Sequence, residues 1–154
     1  MAIYYMDSSG IVKRYVDEIG SAWVIDITNP EKSNEIYTVR MTCVEIVSAA
    51  TRRTRDGTIT SADATMAIAT FKNDLQNEYQ IVEVTEQLVN RAMNLAETHG
   101  LRGYDAVQLA AACEIQALCT ASGLAPIVFV SADTNLNAAA TAEGLSVEDP
   151  NAHA

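Results

Sequence analysis

The chain of 154 residues is long enough for one ordinary domain and too short for two, and a domain of this size buries roughly 70% of its unfolded surface without a disulfide scaffold. Hydrophobic residues at 49% and charged residues at 19% exclude a disordered chain. Twenty acids against ten bases give a net charge of −10, which disfavours nucleic-acid binding through one broad basic face, although eight of the ten bases lie in residues 1–77.

Residues 2–6 (AIYYM) form an apolar run without interior polarity, the pattern of a strand buried on both faces. It stops at Asp7, Ser8 and Ser9, after which Ile11, Val12, Tyr15 and Val16 recur at helical spacing. Residues 20–28 read as a second short helix, broken by Asn29 and Pro30. Residues 35–39 read as a brief strand that enters a helix near Thr42, and this helix runs to a turn at Asp56 and Gly57. Ser61 is predicted to cap a long helix whose Ala64, Ile68, Phe71 and Leu75 make one apolar stripe. A strand over residues 80–84 and a helix over 86–98 follow, ending at His99 and Gly100. Residues 105–119 are apolar nearly all round and predict a deeply buried helix.

Beyond a loop at 122–126, residues 127–130 (IVFV) are the strongest strand, 134–143 a helix and 145–147 an edge strand, with 151–154 a flexible tail. Strands alternating with helices imply one α/β domain over residues 1–150, a three-layer α/β/α sandwich with a mainly parallel central sheet. Function in such folds sits outside the carboxyl ends of the strands. Cys43, Cys113 and Cys119 are odd in number, lack metal-site spacing and read as buried thiols of a reduced compartment. No apolar run approaches membrane-spanning length and no basic leader precedes Asp7, so a cytoplasmic protein without membrane association is expected.

Four acids are out of step with apolar surroundings: Asp7, Glu45, Asp105 and Asp133. Each has an ordinary structural reading. Asp7 and Asp133 stand where helix N-caps stand, Thr42 with Glu45 fits a capping box, and Asp105 with Gln108 resembles a variant of one. As a set they read differently. Ionised carboxylates in apolar surroundings are costly, and no Lys or Arg lies one helical turn from Asp133. If the four converge at one end of the sheet they need a cation, and a hard divalent ion such as Mg²⁺ or Mn²⁺ suits clustered carboxylate oxygens. Such an ion recruits phosphate and points to phosphoester chemistry. Other devices are missing: there is no glycine-rich phosphate loop, and the two histidines, His99 and His153, lie at a helix end and in the tail.

The strings MDSSGIVKRYVDEIGSAWV, TCVEIVSAATRRTRDG, LRGYDAVQLAAA and VFVSADTNLNAAATAEGL, in this order, resemble the PIN domain, in particular the VapC-like ribonuclease toxins of type II toxin–antitoxin systems. The resemblance spans about residues 3–147. It implies that Asp7, Glu45, Asp105 and Asp133 bind Mg²⁺ or Mn²⁺ and cut RNA by activating water, with Ser131 and Ser8 supporting the site. It also implies an antitoxin partner, for which a basic inhibitory segment would suit this acidic chain, and a homodimer. Lys13, Arg14, Arg40, Arg52, Arg53 and Arg55 are the candidate guides for RNA, against the ordinary reading that Arg near a helix C-terminus answers the helix dipole. Ile11, Val12, Tyr15, Val16 and Trp23 read chiefly as core, a minority of them as a groove for an antitoxin helix.

Two rival readings remain. One is a non-catalytic PIN-type module that binds RNA or protein, against which the presence of all four acids speaks. The other is a phosphatase with a nucleophilic Asp, a chemistry that usually places a second acid two residues later, where this chain has Ser9.

Overall fold

The period of two that a strand imposes divides β1 (Ile3–Met6) between two cores: Ile3 and Tyr5 face one, Tyr4 and Met6 the other. Around it the computed structural model, which describes residues 1–154, sets β2 (Glu35–Val39), β3 (Tyr79–Val82), β4 (Val128–Val130) and β5 (Ser146–Glu148). The order is β3-β2-β1-β4-β5, and every neighbouring pair is parallel. The sheet expected to be mainly parallel is wholly so.

The helices are α1 (Ser8–Tyr15), α2 (Ser21–Ile27), α3 (Thr42–Arg55), α4 (Ser61–Asn77), α5 (Glu86–His99), α6 (Gly103–Ala121) and α7 (Thr134–Ala142). One face of the sheet carries α1 to α4, where Ile11, Val24, Ile46 and Phe71 pack with Met6, Ile36 and Val130. The other carries α5 to α7, where Leu88, Leu109 and Leu136 pack with Tyr5, Val39 and Phe129. Tyr5 and Phe129, paired in register across β1 and β4, stack with ring centroids 5.7 Å apart. Truncating either fully buried ring to Ala removes contacts on this scale at about 3–5 kcal/mol. These are the three layers implied by the alternation of elements. No helix is long and apolar enough to cross a membrane.

Three local expectations are corrected. Thr60, not Ser61, caps α4, its hydroxyl accepting from the Asp63 N–H at 3.0 Å. Residues 151–154, expected to be flexible, are held down. Pro150–Ala152 forms a 3-10 turn against α2, the His153 ring stacks on Trp23 at 4.2 Å, and its Nε2 pairs with Glu148 at 2.9 Å. Gly20 makes this docking possible: its φ is +86°, and a Cβ there would lie 2.3 Å from the Pro150 carbonyl oxygen. Of the three free thiols, Cys113 and Cys119 are buried, whereas Cys43 is only half-buried. Ile11, Val12 and Val16 are core, with Tyr15 and Trp23 packed at its edge.

The chain builds β1, β2 and β3 outward in one direction and then crosses to β4 on the other side of β1. The strand order therefore reverses between β1 and β4, and the crevice beyond their carboxyl ends is the place where parallel α/β sheets bind ligands.

Candidate active site

Parallel register puts Met6 beside Val130, so the residues that leave these two strands emerge together. The Asp7 N–H donates to the Val130 carbonyl at 3.2 Å, and Asp7 then turns into α1 as its N-cap. Its Oδ1 accepts from the Gly10 N–H at 2.9 Å and the Ser9 hydroxyl at 2.7 Å, and its Oδ2 from the Ser131 hydroxyl at 2.7 Å. A side chain at Gly10 would meet the Val130 carbonyl at 3.1 Å, so glycine lets α1 start close against β4. Asp7 is 4% exposed. Burial pushes its carboxyl up from 3.8 to about 6, a rise that the three donors oppose and the Glu45 charge reinforces.

Glu45 reaches the same crevice from α3. Its Oε2 accepts from the Ser8 hydroxyl at 3.0 Å and its Oε1 from the Gln108 amide at 3.1 Å. The same amide donates to Thr42 at 2.9 Å, and the Gln108 carbonyl oxygen accepts from the Tyr5 hydroxyl at 2.7 Å. Thr38 donates to Thr42 at 2.8 Å. A buried polar chain thus runs from the central strand through α6 to one oxygen of Glu45, satisfying groups whose burial would otherwise be costly. The capping box expected of Thr42 and Glu45 does not form. Met41 is the N-cap of α3 and makes no side-chain cap, while Thr42 is taken up by Thr38 and Gln108.

The second expected box, Asp105 with Gln108, is likewise not made: α6 starts at Arg102 without a side-chain cap. Asp105 instead faces Asp133. Burial and the Asp133 charge raise the Asp105 carboxyl above its ordinary value, and Arg102 opposes them. Asp133 caps α7 as expected, its Oδ1 accepting from the Leu136 N–H at 3.0 Å, which leaves Oδ2 turned to Arg102 at 3.5 Å. Sequence neighbours give Asp133 no cation, but the fold supplies one from the start of α6. Ser131 links the two halves, accepting from the Asp133 N–H at 3.1 Å while it donates to Asp7.

The acids therefore stand as two pairs, Asp7 with Glu45 and Asp105 with Asp133, and no three of them share one closed cage. The donor chemistry of these pairs is of the kind that hard cations such as Mg²⁺ and Mn²⁺ take. The donors are all oxygen, two of the carboxyls are raised in ways that a nearby cation would reverse, and Mg²⁺ commonly takes one or two carboxylates with water and phosphate completing its shell.

The basic residues divide. Lys13 is buried, pairing with Glu18 at 2.9 Å and donating to the Ile19 carbonyl, so its expected role toward RNA is corrected to a structural one. Arg14 is corrected in the same way: it bonds Glu78 at 2.6 Å and Tyr79 at 3.1 Å beside Asp74. Arg53 pairs with Glu18 and Arg40 with Glu83. Arg55 is exposed without an ion pair. Arg52 lines a groove of about 480 Å³ with Ser8, Glu45, Ser48, Val44 and the exposed Tyr104. Arg102, Ser9, Gln108 and Tyr104 join the site although sequence reading had not assigned them to it. For Gln108 the signal was present, a polar residue in an otherwise apolar helix.

No family model and no curated protein sequence matches the chain. Solved structures share its fold. PAE2754 from Pyrobaculum aerophilum superposes with a TM-score of 0.63 at 20% identity, covering 99% of this chain and 92% of that one. FitAB, solved bound to the IR36 DNA fragment, gives 0.65 at 15% identity, covering 96% and 94%. The fold is PIN-like. VapBC2 from Rickettsia felis, solved bound to a DNA fragment from their promoter, gives 0.59 at 12% identity, covering 96% and 98%. At these identities the PIN-like likeness is one of architecture, reaching over nearly the full length of both chains.

Proposed function

We propose that this PIN-like chain is a Mg²⁺- or Mn²⁺-dependent endoribonuclease acting as the toxin of a toxin–antitoxin pair. The observation that carries the reading is two carboxylate pairs, Asp7 with Glu45 and Asp105 with Asp133, linked through Ser131 beyond the ends of β1 and β4, with Glu45 and Asp105 making no helix cap. A module that only bound RNA or protein would have no use for these two acids in the crevice, which favours the enzyme.

The pairs Asp7 with Glu45 and Asp105 with Asp133 would offer the carboxylates that hold an ion. When bound, a divalent cation lowers the pKa of water and offsets charge building on a scissile phosphate. The chain's own residues do the rest. Ser9, Gly10 and Ser131 fix both oxygens of Asp7, and Ser8 and Gln108 fix Glu45, so neither carboxylate must reorganise as the substrate arrives. Arg52 stands on the wall of the groove where it can meet a phosphate of the RNA, and Tyr104 offers an exposed ring on which an unpaired base can stack. A net charge of −10 elsewhere disfavours nonspecific coating of RNA and suits an antitoxin whose inhibitory segment is basic. A homodimer is part of the same proposal, as is cytoplasmic action.

Incubation of the purified protein with total RNA and Mg²⁺ or Mn²⁺, followed by mapping of new 5′ ends, tests the activity. New ends that vanish with EDTA and with Asp7→Ala are expected. The same ends from Asp7→Ala would mark a contaminant and overturn the reading.

A further inference from the structure

Arg102 occupies the N-cap position of α6 yet makes no cap. Its guanidinium instead lies across two carboxylates, Nε at 3.3 Å from Asp105 Oδ2 and Nη2 at 3.5 Å from Asp133 Oδ2. It is the one Lys or Arg within ion-pair distance of any of the four acids; the other paired bases, on Glu18, Asp26, Asp74, Glu78 and Glu83, meet acids outside the site. Its side chain is 84% exposed, so packing does not hold it there and the two charges do. The planar fork of a guanidinium lets one side chain meet two carboxylates, which an ammonium does poorly.

We propose that Arg102 is a displaceable counter-ion: its guanidinium bridges Asp105 and Asp133 in the metal-free protein and leaves when a divalent cation takes its place. The proposal rests on the reading of the four acids as a cation site. The chain then competes with its own arginine for metal. Release is easy, because two solvent-screened pairs are weak and the freed guanidinium returns directly to water. A divalent ion that bonds the carboxylate oxygens directly outweighs them. The competition nevertheless sets the concentration at which the site fills. Two exposed ion pairs of ordinary strength correspond to about a fivefold change in Kd. Arg102 is thus a positioning residue of Asp105 and Asp133, and the cation requirement of the chain is tuned by a side chain that does not bind the cation.

Binding of Mn²⁺ alone, read from the loss of the free-ion electron paramagnetic resonance signal at low salt, tests this without any substrate. Arg102→Gln is expected to bind Mn²⁺ about fivefold more tightly than the wild type, with Arg102→Lys between them. Arg91→Gln, which removes an equal charge from α5, is expected to match the wild type. The difference should shrink as KCl is raised. Equal or weaker binding by Arg102→Gln overturns the proposal while leaving the cation site standing. So does equal tightening by Arg91→Gln, which would make the effect one of net charge alone. Absence of Mn²⁺ binding by the wild type and all three variants overturns the cation site and the proposal together.

Discussion

Replacing Asp7 by Asn should make the metal-free protein more stable and abolish its activity. In the native state the Asp7 carboxyl is pushed from 3.8 up to about 6. The folded protein therefore keeps a proton that the unfolded chain releases between those two values, and stability falls as pH rises through that window and stays reduced above it. The gap corresponds to about 3 kcal/mol. Asn fits the same contacts: its Oδ1 still accepts from Gly10 and Ser9, and its amide donates to the Ser131 hydroxyl, which reverses its role. Urea denaturation in EDTA from about pH 2.5 to 8 should give nearly equal stabilities below about pH 3 and an Asn variant more stable by about 2–3 kcal/mol at pH 7.5. Asp105, Asp56 and Glu83 titrate in both proteins and cancel in the difference. A difference that does not change with pH, or a variant less stable at pH 7.5, would refute the claim that the fold holds a buried, destabilising charge at this position.

Other expectations follow from single contacts. Gln108→Leu breaks the bonds to Tyr5, Thr42 and Glu45 and should cost about 2–4 kcal/mol by denaturation, with kcat lowered more than KM changes because Glu45 loses its orientation. Gly20→Ala forces a side chain into left-handed backbone against the Pro150 carbonyl. It should cost about 2 kcal/mol or more and shift the fluorescence of Trp23, the only tryptophan, as its stack with His153 is lost. A silent spectrum would show that the Pro150–Ala152 turn stays docked. Arg52→Ala should lower the dependence of RNA affinity on salt by about one phosphate, whereas Arg53→Ala, already paired with Glu18, should leave that slope alone. Equal effects of the two would place the RNA elsewhere.

The fold was legible because its signals are local. AIYYM and IVFV read as buried strands from composition alone, and the charge-poor 105–119 segment reads as the buried helix that α6 is. Asp7 and Asp133 follow from position as well, since each lies between a strand and a helix and caps that helix. Glu45 and Asp105 show why local motifs misled. Thr42 and Glu45 match a capping box in letters, but α3 already starts at Met41, and Thr42 is claimed by Gln108, 66 positions away. The contact between Ser131 and Asp7 joins residues 124 apart and depends on the β1/β4 register. The bases illustrate the same limit. Sequence shows that Lys13 and Arg14 are positive, whereas their use on Glu18, Asp74 and Glu78 depends on how α1 packs against its neighbours. The tail read as flexible from its composition because the feature that seats it, a left-handed Gly20 under Pro150, lies 130 residues earlier.

The central claim is that the carboxylate pairs Asp7 with Glu45 and Asp105 with Asp133 bind a divalent cation. Isothermal titration of the metal-free protein with Mn²⁺ tests it most directly, comparing the wild type with Asp7→Asn from the first pair and Asp105→Asn from the second. Binding by the wild type that is lost or strongly weakened in both variants is the expected result. Binding indifferent to either substitution, or no binding by the wild type, would contradict it.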